Sequence, residues 1–168
     1  MPASPQASVK GTTRVHEIYI KAPAEKIWDA ITNPEWNGKY GYQAPQVYEL
    51  RPGGSYKAQA NAGMLAMGLP PVVIDGEVIE SIPPRRLVQT FRFLFTDEQK
   101  KEGFTRITWE IETTTAGFCR LTLTHEQENA PMMAAATSSK FSERGGGGWN
   151  WILSDLKSLL ETGKTMAG

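Results

Sequence analysis

The stretch that most constrains the fold is RGGGGWNWILSDLKSLLETG, residues 144–163. On a helical wheel its large apolar side chains fall in one sector about 120° wide, the width of a stripe that faces a protein core. These side chains are Trp149, Ile152, Leu153, Leu156, Leu159 and Leu160. Gly163 follows at the position where a left-handed residue commonly ends a helix. The stretch therefore predicts an amphipathic terminal helix, and the preceding chain must supply the surface on which it packs.

Charge and composition exclude several classes of protein. Lys and Arg total 18, and Asp and Glu also total 18, so the basic footprint of a nucleic-acid binder is missing. No run approaches the ~20 apolar residues of a membrane span, and the polar N-terminus has no apolar core of a secretion signal. We expect a disordered tail at residues 1–13, a single domain at residues 14–168 and a cytoplasmic location. The lone Cys119 fits a reducing compartment.

The chain before the terminal helix reads mostly as strands. Residues 15–20 alternate as a strand, and Pro23 then begins a short helix that Asn33 and Pro34 stop. Residues 34–45 predict a helical turn and a loop. Six further alternating segments follow, at residues 46–50, 55–60, 72–81, 87–95, 106–112 and 119–126. Residues 61–71, 97–103 and 127–142 carry no strand or helix period and predict an apolar loop, a charged turn and an irregular connection. The order indicates an α+β fold with helices on one face of an antiparallel sheet.

Four segments in this order resemble the helix-grip superfamily, also called SRPBCC or START-like. They are APAEKIWDAITNPE (residues 22–35), GEVIESIPPRRL (76–87), LTLTHE (121–126) and GWNWILSDLKSLLETG (148–163). Within the superfamily they are most similar to the activator of Hsp90 ATPase homologue family, in a bacterial single-domain subgroup. The resemblance implies a curved antiparallel sheet of six to seven strands around a long C-terminal helix, with two short helices after the first strand. The fold hosts ligand carriers, cyclases, hydrolases and co-chaperone domains, so it does not specify an activity.

The resemblance also implies a cavity between the sheet and the terminal helix, where a ligand pocket would be mostly apolar with a few polar groups. The predicted cavity residues are Tyr48, Tyr56, Val78, Glu80, Phe91, Phe93, Trp109, His125, Trp149, Ile152, Leu153 and Leu156. Strand phase places His125 and Glu80 among them as polar anchors. The alternatives are a hydrogen-bonded histidine at the core edge, a carboxylate at the solvated end of its strand, and an ordinary filled core.

Three other features leave alternatives open. The four methionines of the irregular segments, Met64, Met67, Met132 and Met133, either border the cavity entrance or fill gaps in the core. The glycine run before the terminal helix either lets the helix approach the sheet closely, or gives its N-terminus freedom to move, or leaves bare amides that could bind an anion. Trp151 lies outside the apolar stripe, where it either packs under a loop or marks a surface for self-association.

The sequence contains no HExxH, GxSxG, paired-cysteine or phosphate-loop motif. We therefore expect no catalytic residue, metal or cofactor. The predicted function is non-catalytic binding of a small hydrophobic or amphipathic molecule. Two alternatives remain: a protein-interaction role with an Hsp90-type chaperone, which the resemblance implies, and a cyclase- or hydrolase-type enzyme that uses His125 and Glu80. A homodimer is a further alternative.

Overall fold

The computed structural model describes residues 12–144 and 147–167 of the 168-residue chain. Within these residues the chain forms seven strands and six helices. The strands are β1 (Thr13–Ile20), β2 (Gln46–Tyr48), β3 (Ser55–Gln59), β4 (Val72–Ile82), β5 (Arg86–Phe93), β6 (Thr105–Thr113) and β7 (Cys119–Glu126). The helices are α1 (Ala24–Thr32), α2 (Pro34–Asn37), α3 (Ala62–Ala66), α4 (Asp97–Glu102), α5 (Pro131–Ala136) and α6 (Gly148–Thr162).

The seven strands form one curved antiparallel sheet in the order β1-β7-β6-β5-β4-β3-β2. The first strand pairs with the last along its whole length, from Thr13 opposite Glu126 to Ile20 opposite Cys119. Neighbours elsewhere in the sheet are consecutive in sequence, because each hairpin returns the chain beside the preceding strand. The predicted helix-grip architecture, with two helices after the first strand, is confirmed.

The terminal helix α6 buries the stripe that the wheel predicts. Leu153 and Leu156 are fully buried in the same core as Leu121 and Leu123 of β7. Gly163 adopts the left-handed conformation, with φ of 80°, and its amide donates to the Leu159 carbonyl at 2.9 Å. A fully buried Leu side chain contributes roughly 1.5–3 kcal/mol of hydrophobic free energy, so this face anchors the helix.

Three short helices lie where the sequence predicts loops or turns. Asn61 caps α3 through its side-chain oxygen, which accepts from the Met64 amide, and Thr96 caps α4 in the same way through the Gln99 amide. Pro131 occupies the first turn of α5. The prediction of no helix in these segments is wrong because each helix spans only five or six residues, too few to show a period.

A β-bulge in β4 reverses the predicted direction of one site residue. Val78 lies opposite Gln89, but Glu80 lies opposite Val88, so Ile79 is the extra residue that shifts the register. A shift of one residue moves the following side chains to the other face of the sheet. Glu80 consequently shares the face of Val88 and binds the Arg86 guanidinium at 2.8 Å. The prediction that Glu80 faces the cavity is wrong.

The N-terminal prediction is only partly within the described residues. The predicted tail covers residues 1–13, of which residues 1–11 lie outside the described part of the chain. Thr13 already belongs to β1. Between residues 12 and 167, leaving aside 145 and 146, none of the helices combines the length and apolar character needed to cross a bilayer.

Candidate functional site

A cavity of about 360 Å³ lies beside the start of α6. Its walls come from β4, β5, the segment around Tyr42, the α3 region and the ends of α4 and α5. The lining residues are Tyr42, Ala44, Met64, Met67, Leu69, Val73, Ile74, Phe91, Phe93, Phe95, Gln99, Ala136, Thr137, Gly148, Trp149 and Ile152. The volume lies within the ~300–1,000 Å³ range of ligand pockets.

A smaller cavity of about 70 Å³ adjoins the first and extends it toward the core. Six residues line both cavities: Tyr42, Ala44, Ile74, Phe91, Trp149 and Ile152. The smaller one also reaches Trp109. The aromatic walls are in mutual contact: the Phe91 and Phe93 rings lie 5.5 Å apart and the Phe91 and Trp149 rings 5.9 Å apart. Part of the wall is therefore a continuous aromatic surface.

The start of α6 is fixed by a tyrosine rather than left bare. The Tyr42 hydroxyl oxygen accepts from the Gly147 and Gly148 amides, each at 3.2 Å. Gly148 has φ of 70°, and a Cβ atom there would lie 2.5 Å from the Thr137 carbonyl oxygen. Glycine therefore permits a close approach of the helix to the end of α5 rather than to the sheet. Because the Gly147 and Gly148 amides donate to Tyr42, they are not free to bind an anion. Gly145 and Gly146 lie outside the described residues.

His125 is the centre of a buried hydrogen-bond network. The Trp149 indole donates to Nδ1 at 3.0 Å, and Nε2 lies 2.7 Å from the Thr105 hydroxyl. Because an indole can only donate, Nδ1 is the acceptor, so Nε2 carries the proton and donates to Thr105. Thr105 in turn donates to the Phe91 carbonyl at 2.9 Å. The network joins α6 to β5, β6 and β7.

The imidazole of His125 is neutral. Its side chain is fully buried, and this burial lowers its pKa to about 3, with smaller effects from the charges of Arg14 and His16. Its Nε2–H cannot accept a proton from the Thr105 hydroxyl, so the pair does not form a nucleophile and base. His125 is therefore a hydrogen-bonded histidine of the core, the alternative to a polar anchor, and it does not line the cavity.

The described residues hold no group of three His, Cys, Asp or Glu side chains that could bind a metal ion. The one cysteine, Cys119, is buried, and burial raises the pKa of its thiol. A raised pKa lowers the thiolate fraction and therefore the reactivity of the thiol.

A family model described as "Activator of Hsp90 ATPase homolog 1-like protein" matches residues 21–161. The chain belongs to this family. Comparison with curated proteins found no match.

Several solved structures share the fold. The crystal structure of MLL2253 from Mesorhizobium loti is 19% identical, with a TM-score of 0.66 over 89% of this chain and 97% of that one. The crystal structure of CalU16 from Micromonospora echinospora is 17% identical, with a TM-score of 0.64 over 94% of this chain and 79% of that one. The solution structure of the Aha1 dimer from Colwellia psychrerythraea is 23% identical, with a TM-score of 0.62 over 91% and 98%.

The predicted cavity residues divide into three groups. Phe91, Phe93, Trp149 and Ile152 line the main cavity, and Trp109 lines the smaller one. Five of the remaining residues are buried and line neither cavity: Tyr56, Val78, His125, Leu153 and Leu156. Tyr48 is partly buried against the core, also outside both linings, and its hydroxyl donates to the Gln89 side chain at 2.9 Å. Glu80 lies on the opposite face of the sheet.

Two of the four methionines line the cavity and two do not. Met64 and Met67 line the main cavity, as one of the alternatives predicts. Met133 is 3% exposed and packs in the core instead, while Met132 is surface-exposed.

Sequence reasoning missed the wall contributed by aperiodic segments. Tyr42, Ala44 and Leu69 come from stretches without a period, and Gln99 comes from a segment predicted to be a charged turn. Phe95 had a signal, since it continues the alternation of Phe91 and Phe93. No comparable pattern marks Gln99.

Asp155 positions the segment around Tyr42, although it does not belong to the apolar stripe of α6. It is 3% exposed, and its carboxylate accepts from the Gly41 amide at 2.8 Å and from the Met166 amide at 2.7 Å. The Gly41 bond holds the loop before Tyr42 against the helix. A lone acidic residue among serines gives no sign that it is buried.

Proposed function

We propose that the protein binds a small hydrophobic or amphipathic molecule in the cavity beside α6 and does not transform it. The observation that carries this proposal is the cavity of about 360 Å³ between the sheet and the terminal helix. Such a volume equals roughly a dozen water molecules at liquid density. Aromatic and aliphatic side chains form most of its wall, and water gains few hydrogen bonds there, so an apolar ligand would displace it favourably.

Two lining residues that are partly exposed to solvent also support a ligand-binding function. Met67 is 74% exposed and Tyr42 is 50% exposed, although both contribute to the lining. Both therefore have one side toward solvent and one toward the cavity. Methionine side chains are unbranched and adapt to different shapes, which suits residues that must move when a ligand enters.

A thermal-shift screen with neutral and charged hydrophobic compounds tests the proposal. A ligand at a hundred times its dissociation constant adds about 2.7 kcal/mol to the free energy of unfolding. For a domain of this size we expect the melting temperature to rise by about 5–11 °C.

Cavity-filling variants locate the binding. Ala44→Trp places an indole in the wall that the two cavities share, and Ala116→Trp places one on an exposed turn as the matched control. Ala44→Trp should abolish the ligand-induced shift, and Ala116→Trp should retain it. If Ala44→Trp does not fold, Ala136→Phe fills the cavity from the end of α5. An unchanged ligand response in a folded cavity-filled variant would contradict the proposal.

Family membership favours a second candidate function, contact with an Hsp90-type chaperone. The protein would then raise the ATPase rate of the host Hsp90 homologue at micromolar concentration. We expect no stimulation, because sharing the fold does not carry over a contact surface. A several-fold increase that a surface substitution abolishes would reverse this ranking.

A homodimer is compatible with either function. The similar Aha1 protein from Colwellia psychrerythraea is a dimer, and Trp151 on α6 is only partly buried here. The molar mass in solution decides this point, and Trp151→Ala should convert a dimer to a monomer if that side chain forms the interface.

A further inference from the structure

Gln99 places an unpaired polar atom in the cavity wall. Its side chain lines the cavity, and its Oε1 atom is buried without a hydrogen-bond partner among residues 12–144 and 147–167. A buried carbonyl oxygen of an amide that lacks a partner is costly, so such atoms in native proteins usually meet a ligand or water.

The other polar side-chain oxygens of the lining already accept hydrogen bonds. The Thr137 hydroxyl donates to the Met133 carbonyl at 2.8 Å and accepts from Arg14 at 3.2 Å. The Tyr42 oxygen accepts from two amides at the start of α6. Among the side-chain oxygens of the described wall, Gln99 Oε1 is therefore the one that accepts no hydrogen bond.

Gln99 sits on a helix that is fixed in place. Its own amide donates to the Thr96 hydroxyl that caps α4. Three residues later on the same helix, Glu102 accepts from the Met132 and Met133 amides at 2.8 and 3.0 Å, which ties α4 to α5. Residues three apart share one side of a helix, so the contact that docks α4 also orients Gln99 toward the cavity.

The described lining contains no Asp, Glu, His, Lys or Arg. A charged ligand would lose its hydration there without gaining a counter-ion, and burial of an unpaired charge is strongly unfavourable. At the positive end of α6, Tyr42 already accepts from the Gly147 and Gly148 amides.

We propose that the ligand is an uncharged molecule of roughly a dozen non-hydrogen atoms, with an apolar body and one hydroxyl or N–H group that donates to Gln99 Oε1. This inference rests on the proposed function and narrows it to a ligand class. It excludes carboxylates such as free fatty acids from the preferred ligands.

Four probes of similar size test the inference: 2-naphthol, 2-methoxynaphthalene, naphthalene and 2-naphthoate. Their affinities are measured near neutral pH from changes in amide chemical shifts of the full chain. We expect 2-naphthol to bind roughly two- to tenfold more tightly than 2-methoxynaphthalene, which cannot donate. We expect 2-naphthoate to bind at least about tenfold more weakly than 2-naphthol, because its charge is unpaired.

Gln99→Leu removes the acceptor and keeps a side chain of similar size. In this variant 2-naphthol should lose its advantage over 2-methoxynaphthalene, while naphthalene should bind as before or more tightly. Lys101→Leu, on the exposed side of the same helix, is the control and should preserve the advantage. Melting temperatures of both variants report whether the fold is retained.

The outcomes separate the two proposals. Equal affinities of all three neutral probes, or an advantage of 2-naphthol that survives Gln99→Leu, would overturn the role of Gln99 and leave the binding cavity intact. Equal or tighter binding of 2-naphthoate would overturn the preference for uncharged ligands. Failure of all four probes to bind would refute both the proposed function and this inference.

Discussion

Lowering the pH should destabilise the protein, because His125 takes up a proton when the chain unfolds. A substitution of His125 should remove this contribution. The folded state holds this imidazole neutral with a pKa of about 3, whereas its ordinary pKa of 6.5 applies in the unfolded chain. Between these two pH values the unfolded state binds one more proton than the folded state, so the free energy of unfolding falls as the pH falls.

The magnitude follows from the difference in proton binding. Each pH unit between the two pKa values changes the free energy of unfolding by 1.36 kcal/mol per proton. Between about pH 7.5 and about pH 5, below the unfolded pKa but well above the folded one, His125 should account for a loss of about 2 kcal/mol. The effect begins near the unfolded pKa and stops growing below the folded pKa.

Urea denaturation of the wild type and of His125→Phe at both pH values measures this contribution. At the higher pH the variant should be less stable by about 1–3 kcal/mol, since the Trp149 indole N–H loses its acceptor. On acidification the variant should lose about 2 kcal/mol less than the wild type, because it has no imidazole to protonate. His16 and the carboxyl groups are common to both proteins, so their effects cancel. An equal acid-induced loss in both proteins would refute the assignment of a neutral, buried imidazole.

Other predictions follow from the same contacts. In urea denaturation, Leu156→Ala should cost ~2–5 kcal/mol and the exposed Ser154→Ala less than ~0.5 kcal/mol; similar small costs would mean that the buried face of α6 is misassigned. Asp155→Ala should cost ~1–3 kcal/mol and speed hydrogen exchange of the Gly41 amide, and unchanged exchange would contradict its anchoring role. Gly148→Ala should destabilise more than Gly68→Ala, since both have positive φ but only Gly148 lies against a carbonyl; equal costs would contradict the close approach. Glu80→Gln should leave ligand affinity unchanged, and a clear loss of affinity would place its side chain in the cavity after all.

The regular part of the fold follows from local pattern. The alternation of β6 and β7 and the wheel of α6 each identify a buried face, because a sheet repeats every two residues and a helix every 3.6. Ile107, Trp109 and Ile111 are buried as their alternation predicts. Sequence similarity of four segments then supplies the topology, which periodicity alone does not specify.

The cavity wall is less accessible to sequence reasoning. A bulge of one residue at Ile79 reverses the side of Glu80, and nothing in the local sequence distinguishes this bulge from continued alternation. Phase correctly places His125 on the inner side of β7, but phase cannot tell a residue that lines a cavity from one that the Trp149 indole covers. Gln99 depends on how α4 docks on α5, a contact between segments about thirty residues apart.

A structure of the protein in complex with 2-naphthol tests the central claim most directly. The naphthalene rings should pack against the wall formed by Phe91, Phe93 and Trp149, with the hydroxyl group within hydrogen-bond distance of Gln99 Oε1. A ligand bound on the outer face of the sheet, or a cavity that closes with no ligand inside at saturating concentration, would contradict the proposal that this helix-grip domain encloses its ligand beside α6.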